Sequence, residues 1–225
     1  NRPKMSRELN KQNIKHNRWV TLLGSLATLF FMTPLLGAIY TSLRTNNAIN
    51  SGAFFWEFDR SWSHYRNAMG AAGYDFAKFF QNSIVISIGT VFLVILISFP
   101  ASYAIVRLGF GGPWLLRLAL ALRITPAIFF IIPFYKLFTS LALIDKQVGL
   151  ILANTFVNIT LAILVFSGTI NDLPLEIEEA AAVDGASIWK TLRSIVFPLL
   201  GPGLAAVGVL TFLFSWSDYL FAVVL

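Results

Sequence analysis

Apolar runs of membrane length, separated by short polar connections, dominate this chain. A helix needs about 20 residues to cross the hydrocarbon core of a bilayer, and runs of that order predict spans over 19–43, 82–106, 115–138 and 147–170. A fifth begins near Gly201-Pro202 and is still apolar at Leu225. Pro34, Pro100, Pro126 and Pro133 fall inside these runs and are expected to kink them. Gly109, Gly111, Gly112 and Pro113 force a short turn after the second span, and Leu143-Ile144-Asp145-Lys146 makes the next. Between the first two spans, residues 44–81 are polar but carry Trp56, Trp62, Tyr65, Tyr74 and Phe76, which suit the headgroup level of a membrane.

Composition agrees with that pattern. With 56% hydrophobic and only 12% charged residues, and a mean hydropathy of +0.71, the chain lies far from soluble domains, where about a quarter of residues are charged. It is read as an all-α polytopic membrane protein. No cysteine is present, which removes a disulfide framework, a thiolate nucleophile and a sulfur metal site. His16 and His64 are the only imidazoles, one in a basic tail and one in a polar loop, and both are read as solvated. Neither a metal site nor a catalytic residue is assigned, because no nucleophile–base pair or ligand cluster lies within the spans. No Gly-rich phosphate loop ending in Lys-Ser/Thr occurs, so ATP is not bound here by that device.

The net charge of +6 is placed for a membrane rather than for nucleic acid. Arg2, Lys4, Arg7, Lys11, Lys15 and Arg18 all precede the first apolar run, marking residues 1–18 as a cytoplasmic basic segment and 19–225 as the transmembrane domain. The basic segment is also compatible with an amphipathic interfacial helix. The first run is longer than a signal-peptide core and lacks a small-x-small cleavage site, so it is read as retained. With the amino terminus inside, Arg107, Arg117, Arg123, Lys190 and Arg193 join the basic tail there. Arg44, Arg60, Arg66, Lys78, Lys136 and Lys146 lie outside. An odd number of visible spans leaves Leu225 outside.

The segment 171–198 then falls in the cytoplasm, and it is unlike the rest of the chain: acidic and small at its start, basic and amphipathic at its end. Asp172-Leu173-Pro174 is expected to open a short helix, with Glu176, Glu178 and Glu179 where the helix dipole favours negative charge. Ala180, Ala181 and Ala182 continue it, Asp184-Gly185 break it, and Asp184 is a plausible cap for the next helix. That second helix should present Ile188, Leu192, Ile195, Val196 and Leu199 on one face, with Lys190, Arg193 and Ser194 elsewhere. Local physics alone leaves two readings open, an ordinary interfacial connector or a docking element that another protein reads.

Glu179-Ala180-Ala181, Asp184-Gly185-Ala186, Ile195 and Pro198 resemble, in order and spacing, the EAA signature of permease subunits of binding-protein-dependent ABC importers. The resemblance is closest to the carbohydrate-uptake, maltose-permease-like branch. Asn82-Ser83, Ala101-Ser102-Tyr103-Ala104-Ile105-Val106-Arg107, Ile132-Pro133-Phe134-Tyr135, Leu143-Ile144-Asp145 and Phe214-Ser215-Trp216-Ser217-Asp218-Tyr219 extend it over most of the chain. Ser217 stands where the family usually has Asn, Leu192 where it has Phe, and Phe197 where it has Leu. The resemblance implies a type I ABC importer permease fold of about six spans, five of them visible, with a cytoplasmic coupling helix.

It further implies two ATP-binding subunits holding ATP and Mg, so that this chain carries no cofactor and is not itself an enzyme. A second permease in a heterodimer and an extracytoplasmic solute-binding protein complete the set, in a prokaryotic cytoplasmic membrane. Glu179 would face a cation of the ATPase, Ala180, Ala181 and Ala186 would permit close approach, and Asp184-Gly185 would set the bend.

Polar side chains inside spans are costly and usually face a bundle interior or a cavity. Asn154 and Asn158, four apart on the fourth span, share one face beside Thr155, and Trp216, Ser217 and Asp218 lie past the middle of the fifth. Amides, hydroxyls and an aromatic face would suit a sugar, and these five residues are the candidate pathway. The asparagines are equally consistent with interhelical hydrogen bonding. Arg123 either snorkels to headgroups or faces the pathway near Thr125. Another solute, such as a polyamine, phosphate or amino acid, and an ion-coupled secondary transporter are the competing assignments; the latter leaves the cytoplasmic signature without a purpose.

Overall fold

The computed structural model describes residues 18–52, 60–71, 73 and 75–225. The expectations on His16, Trp56, Tyr74 and the basic segment up to residue 17 lie outside the described residues. The chain divides into two compact units, Asn1–Phe76 and Ala77–Leu225.

In the first unit, α1 (Arg18–Ser42) carries Pro34 within its length. The short α2 (Asn46–Asn50) is capped by Thr45, whose hydroxyl accepts from the Ala48 N–H at 3.3 Å. The chain returns beside the end of α1 through an antiparallel bridge between Arg44 and Arg60, and the Ser61 N–H donates to the Leu43 carbonyl at 2.8 Å. A single turn, α3 (Ser63–Arg66), then runs into a π-helical turn, Asn67–Ala71. The Tyr65 and Ser42 hydroxyls are hydrogen-bonded at 2.7 Å. His64 lies half-buried with Nε2 2.8 Å from the Arg44 carbonyl, which corrects its reading as a merely solvated imidazole: it ties the returning loop to the end of α1.

The second unit is built on α4 (Phe76–Val106), α7 (Gln147–Asn171) and α11 (Gly201–Trp216). The expected third span is the main departure. It divides into α5 (Gly112–Ile124) and, after a 3-10 turn at Ala127–Phe130, α6 (Ile131–Ser140), with a bend of 98°. The cause is local: Pro126 has no N–H to give and excludes the helical conformation at the residue before it, and Thr125 is extended (φ −66°, ψ 123°). The elements α8 (Leu175–Val183), α9 (Ile188–Thr191) and α10 (Phe197–Leu199) lie between α7 and α11, and α12 (Leu220–Val224) comes after α11. Among the described residues, four helices are long and apolar enough to cross a membrane, and a fifth crossing is available if the bent pair counts as one.

Two cores hold this unit together. Phe99 and Tyr103 of α4, Ala162, Phe166 and Ile170 of α7, and Leu192, Val196 and Leu200 beyond α9 form the larger. The last two sets recur every four residues, so each presents one helical stripe to the others. The Phe99 ring meets Phe166 and Phe197 edge-on, with centroids at 6.1 and 5.3 Å. A second core gathers Phe138, Ala153, Phe221 and Leu225, which seats α12 against α6 and α7.

The amphipathic stripe after Gly185 also differs from expectation. Thr191, Leu192, Val196 and Leu200 are buried, whereas Ile188 and Leu199 are exposed. A π-helical turn over Leu192–Val196 rotates the later residues relative to an ideal helix, just before Pro198, which lacks the N–H to continue the ordinary ladder. Nor does Asp184 cap this helix. Ser187 does, accepting from the Lys190 N–H at 3.3 Å.

Candidate functional site

The acidic, small-residue segment folds as α8, preceded by Pro174 in an extended conformation rather than opened by Asp172. Asp172 closes α7 instead. Glu176 and Glu178 occupy the first turn of α8, where the helix dipole favours them. Its other end is a Schellman motif: the Ala186 N–H donates to the Ala181 carbonyl at 2.9 Å, and the Gly185 N–H to the Ala182 carbonyl at 3.0 Å. That motif needs a left-handed residue after the cap, and Gly185 supplies it with φ +76°. Asp184 is the capping position of α8 itself.

Adjacent carboxylates then diverge. Glu176, Glu179, Ala180, Ala182, Asp184 and Gly185 are exposed, Ala186 is half-buried, and Ala181 is buried within its own chain. The close approach that Ala181 permits is therefore internal, a correction to its expected place on the docking face. Glu178 also turns inward. One of its oxygens, Oε1, accepts from Arg107 Nε at 2.7 Å, and Oε2 accepts from the Tyr103 hydroxyl at 2.8 Å. The same guanidinium donates through Nη2 to the carbonyls of Ile170 and Leu173, at 2.9 and 2.7 Å. The Ile170 carbonyl already accepts from the Leu173 N–H at 3.1 Å, so Arg107 adds a second donor at the end of α7 while it pairs with α8. Arg107 and Glu178 side chains are only 13% and 10% exposed.

Toward the start of α7, the structure joins two groups that the sequence offered separately. Asn154 is buried, and its Nδ2 donates to Asp218 Oδ2 at 2.9 Å and to the Leu150 carbonyl at 3.1 Å. The other Asp218 oxygen accepts from the Phe221 N–H at 3.3 Å, so one carboxylate bridges α7 and the start of α12. Asn158 is buried one turn further along, its Nδ2 bonded to the Asn154 carbonyl at 2.9 Å and its Oδ1 without a partner among the described residues. The Ser215 hydroxyl donates to that of Thr90 on α4 at 3.3 Å. Trp216 stands apart from this polar set, stacked on Phe212 and edge-on to Phe80, and Ser217 is exposed.

Arg123 is the last of the predicted polar groups. Its guanidinium lies over the Phe214 ring, 5.1 Å from the centroid, and it lines a cavity of about 250 Å³ at the break between α5 and the 3-10 turn, with Thr125, Phe156 and Thr160. A cation over an aromatic face is held by the ring quadrupole.

Residues 94–225, which contain α7, α8, the Schellman turn and Asp218, match the family described as binding-protein-dependent transport system inner membrane component. The chain belongs to that family. This inner membrane component is 31% identical over 205 residues to the probable ABC transporter permease protein y4oR of Sinorhizobium fredii, across 91% of this chain and 73% of the relative. It is 30% identical over 202 residues to the trehalose transport system permease protein SugB of Mycobacterium tuberculosis, across 89% and 73%. Against the diacetylchitobiose uptake system permease protein NgcG of Streptomyces coelicolor, identity is 27% over 205 residues, across 89% and 66%. The crystal structure of a bacterial ABC transporter that imports the acidic polysaccharide alginate shares its fold, with a TM-score of 0.74 and 23% identity over 94% of this chain and 76% of that one.

The type I importer permease architecture expected from the sequence is thus present. The protein is a multi-pass ABC importer permease, from a family of transport components that work with an ATPase and a solute-binding protein. What the motif reading of this permease missed is the role of Glu178 and Arg107. The available signal was a lone cation closing the second span, Arg107, together with three carboxylates close in sequence, Glu176, Glu178 and Glu179.

Proposed function

We propose that 171–198 is the coupling element by which this permease docks on an ATP-binding subunit, and that the imported solute is a sugar or polyol. The observation that carries the docking assignment is the exposed face of α8: Glu179 and Ala180 stand outward beside Ala182, and a left-handed Gly185 ends the helix with nothing within 4 Å of where a side chain would project. A surface of small residues lets a partner backbone come close, and an unscreened carboxylate at its edge suits a cation. In this reading Glu179, Ala180, Asp184, Gly185 and Ala186 serve the ATPase, while Asn154, Asn158 and Asp218, and separately Trp216 and Ser217, serve the solute. Two ATP-binding subunits hold ATP and Mg, a second permease completes a heterodimer, and the amino terminus is cytoplasmic. The last assignment is supported by the distribution of Lys and Arg between the connections.

Glu179→Gln removes the outward charge without touching the internal contacts of α8. It is expected to reduce ATPase retention during purification of the whole transporter by about tenfold, the scale of one charge-assisted contact. Undiminished retention sinks the docking assignment.

The sugar assignment is supported by relatives named for trehalose and diacetylchitobiose uptake and by the mainly neutral set around Asn154. Titrating the cognate solute-binding protein calorimetrically with disaccharides, polyols, spermidine, phosphate and amino acids tests it. A sugar or polyol is expected to bind, and exclusive binding of one of the others refutes the assignment.

A further inference from the structure

Arg107 does more than bind the end of a helix. α8 is nine residues long and is joined to its neighbours by Pro174 on one side and the Gly185 turn on the other. A short helix between two such connections transmits displacement well only if side chains tie it to the spans. Such a tie is present: Arg107 and Glu178 form a salt bridge at 2.7 Å. It joins α8 to the residue immediately after α4, Tyr103 adds a second bond from the last turn of α4, and Nη2 adds the end of α7. One guanidinium therefore gathers three elements at one point. A half-buried, multiply hydrogen-bonded ion pair of this kind holds a defined geometry.

We propose that Arg107, Glu178 and Tyr103 form the joint through which displacement of α8 reaches α4 and α7. They are positioning residues for energy coupling and take no part in docking the ATPase. The proposal rests on the assignment of 171–198 as the coupling element. Glu178 and Glu179, adjacent in sequence, then have separable functions: the outward carboxylate receives the ATPase, and the inward one passes its movement to the membrane helices.

The test uses the complete transporter, with its second permease, ATPase and solute-binding protein, in liposomes, and measures solute imported per ATP hydrolysed. In Glu178→Gln and Arg107→Lys, ATPase subunits should co-purify in wild-type amount and hydrolysis should continue, while import per ATP falls by about tenfold, the scale of one lost charge-assisted bond. Lys is included because a single ammonium cannot reproduce the fork that reaches three acceptors. In Glu179→Gln the effect should be the reverse: fewer ATPase subunits retained, with an unchanged ratio for those that remain.

A wild-type ratio in Glu178→Gln overturns the joint, and so does a loss of ATPase subunits equal to that of Glu179→Gln. Failure of Glu179→Gln to release the ATPase refutes the docking assignment alone. Because the chain has no cysteine, Arg107→Cys with Glu178→Cys introduces a single thiol pair, which a flexible bis-maleimide can bridge. The unbridged protein should be uncoupled, and bridging should restore the ratio several-fold. A formed bridge that restores nothing overturns the proposal, since a covalent tether replaces the joint without its charges.

Discussion

Gly185→Trp is expected to leave the protein at its normal level in the membrane while solute uptake falls by about a hundredfold. Two separate effects combine. The backbone at Gly185 has φ +76°, a left-handed conformation that costs an ordinary residue roughly 1–2 kcal/mol. Leaving it would break the two hydrogen bonds of the Schellman turn and redirect the chain into α9. Gly185 is exposed and no atom lies within 4 Å of its Cβ position, so the added side chain starts from open space beside the proposed ATPase contact. Displacing a partner from the centre of a packed interface costs about 2–4 kcal/mol, which is on the order of 30- to 1,000-fold.

Smaller substitutions separate the two effects. Gly185→Asn keeps the left-handed conformation accessible and should lose much less than Gly185→Trp, while Gly185→Ala, which strains the backbone but adds only a methyl group, should fall between Gly185→Asn and Gly185→Trp. Uptake in cells lacking the native permease, normalised to membrane content by immunoblot, measures each. Wild-type uptake in Gly185→Trp refutes the coupling role of the turn.

How far these features could be read from the chain depends on the range of the interactions that produce them. The spans were legible because hydropathy over about 20 residues is a local property. The Gly185 break was legible for the same reason, since a glycine after an alanine run is its own signal. Pro126 marked the break in the third span, but the 98° bend became visible only with the packing of Phe138 and Phe221 beyond it. Periodicity misplaced Leu199 because the π turn at Leu192–Val196 changes the helical repeat within the stripe.

The separation of Glu178 from Glu179 was beyond any local reading. Which of two adjacent carboxylates faces inward is decided by Arg107, 71 positions earlier in the chain. Likewise Asn154 and Asp218 each looked like a candidate alone, and the hydrogen bond that joins them spans 64 positions.

That second pair sits about 24 Å along α7 from Ile170, at 1.5 Å per residue, so its disruption should act without disturbing the proposed ATPase-docking segment. Asp218→Ala removes an acceptor from the buried Asn154 amide and another from the Phe221 N–H that begins α12. Leaving a buried donor unpaired costs about 1–3 kcal/mol, and the loosened junction should reduce uptake by on the order of tenfold or more while ATPase subunits co-purify normally. Asp218→Asn can accept from one of the two donors but not both, and should retain intermediate uptake. Asn154→Asp should be at least as damaging as Asp218→Ala, because it sets two carboxylates 2.9 Å apart along the former bond. Combining it with Asp218→Asn reverses donor and acceptor, restores the bond, and should recover uptake above either Asp218→Ala or Asn154→Asp.

The concentration dependence of uptake separates a solute contact from a purely structural tie. If Asp218 touches solute, Asp218→Asn raises the apparent KM with little change in maximal rate; if it serves only the α7–α12 junction, the maximal rate falls at constant KM. The pathway assignment predicts the first result. A maximal-rate effect alone, with recovery in the exchanged pair, would confine Asn154 and Asp218 to holding the helices together.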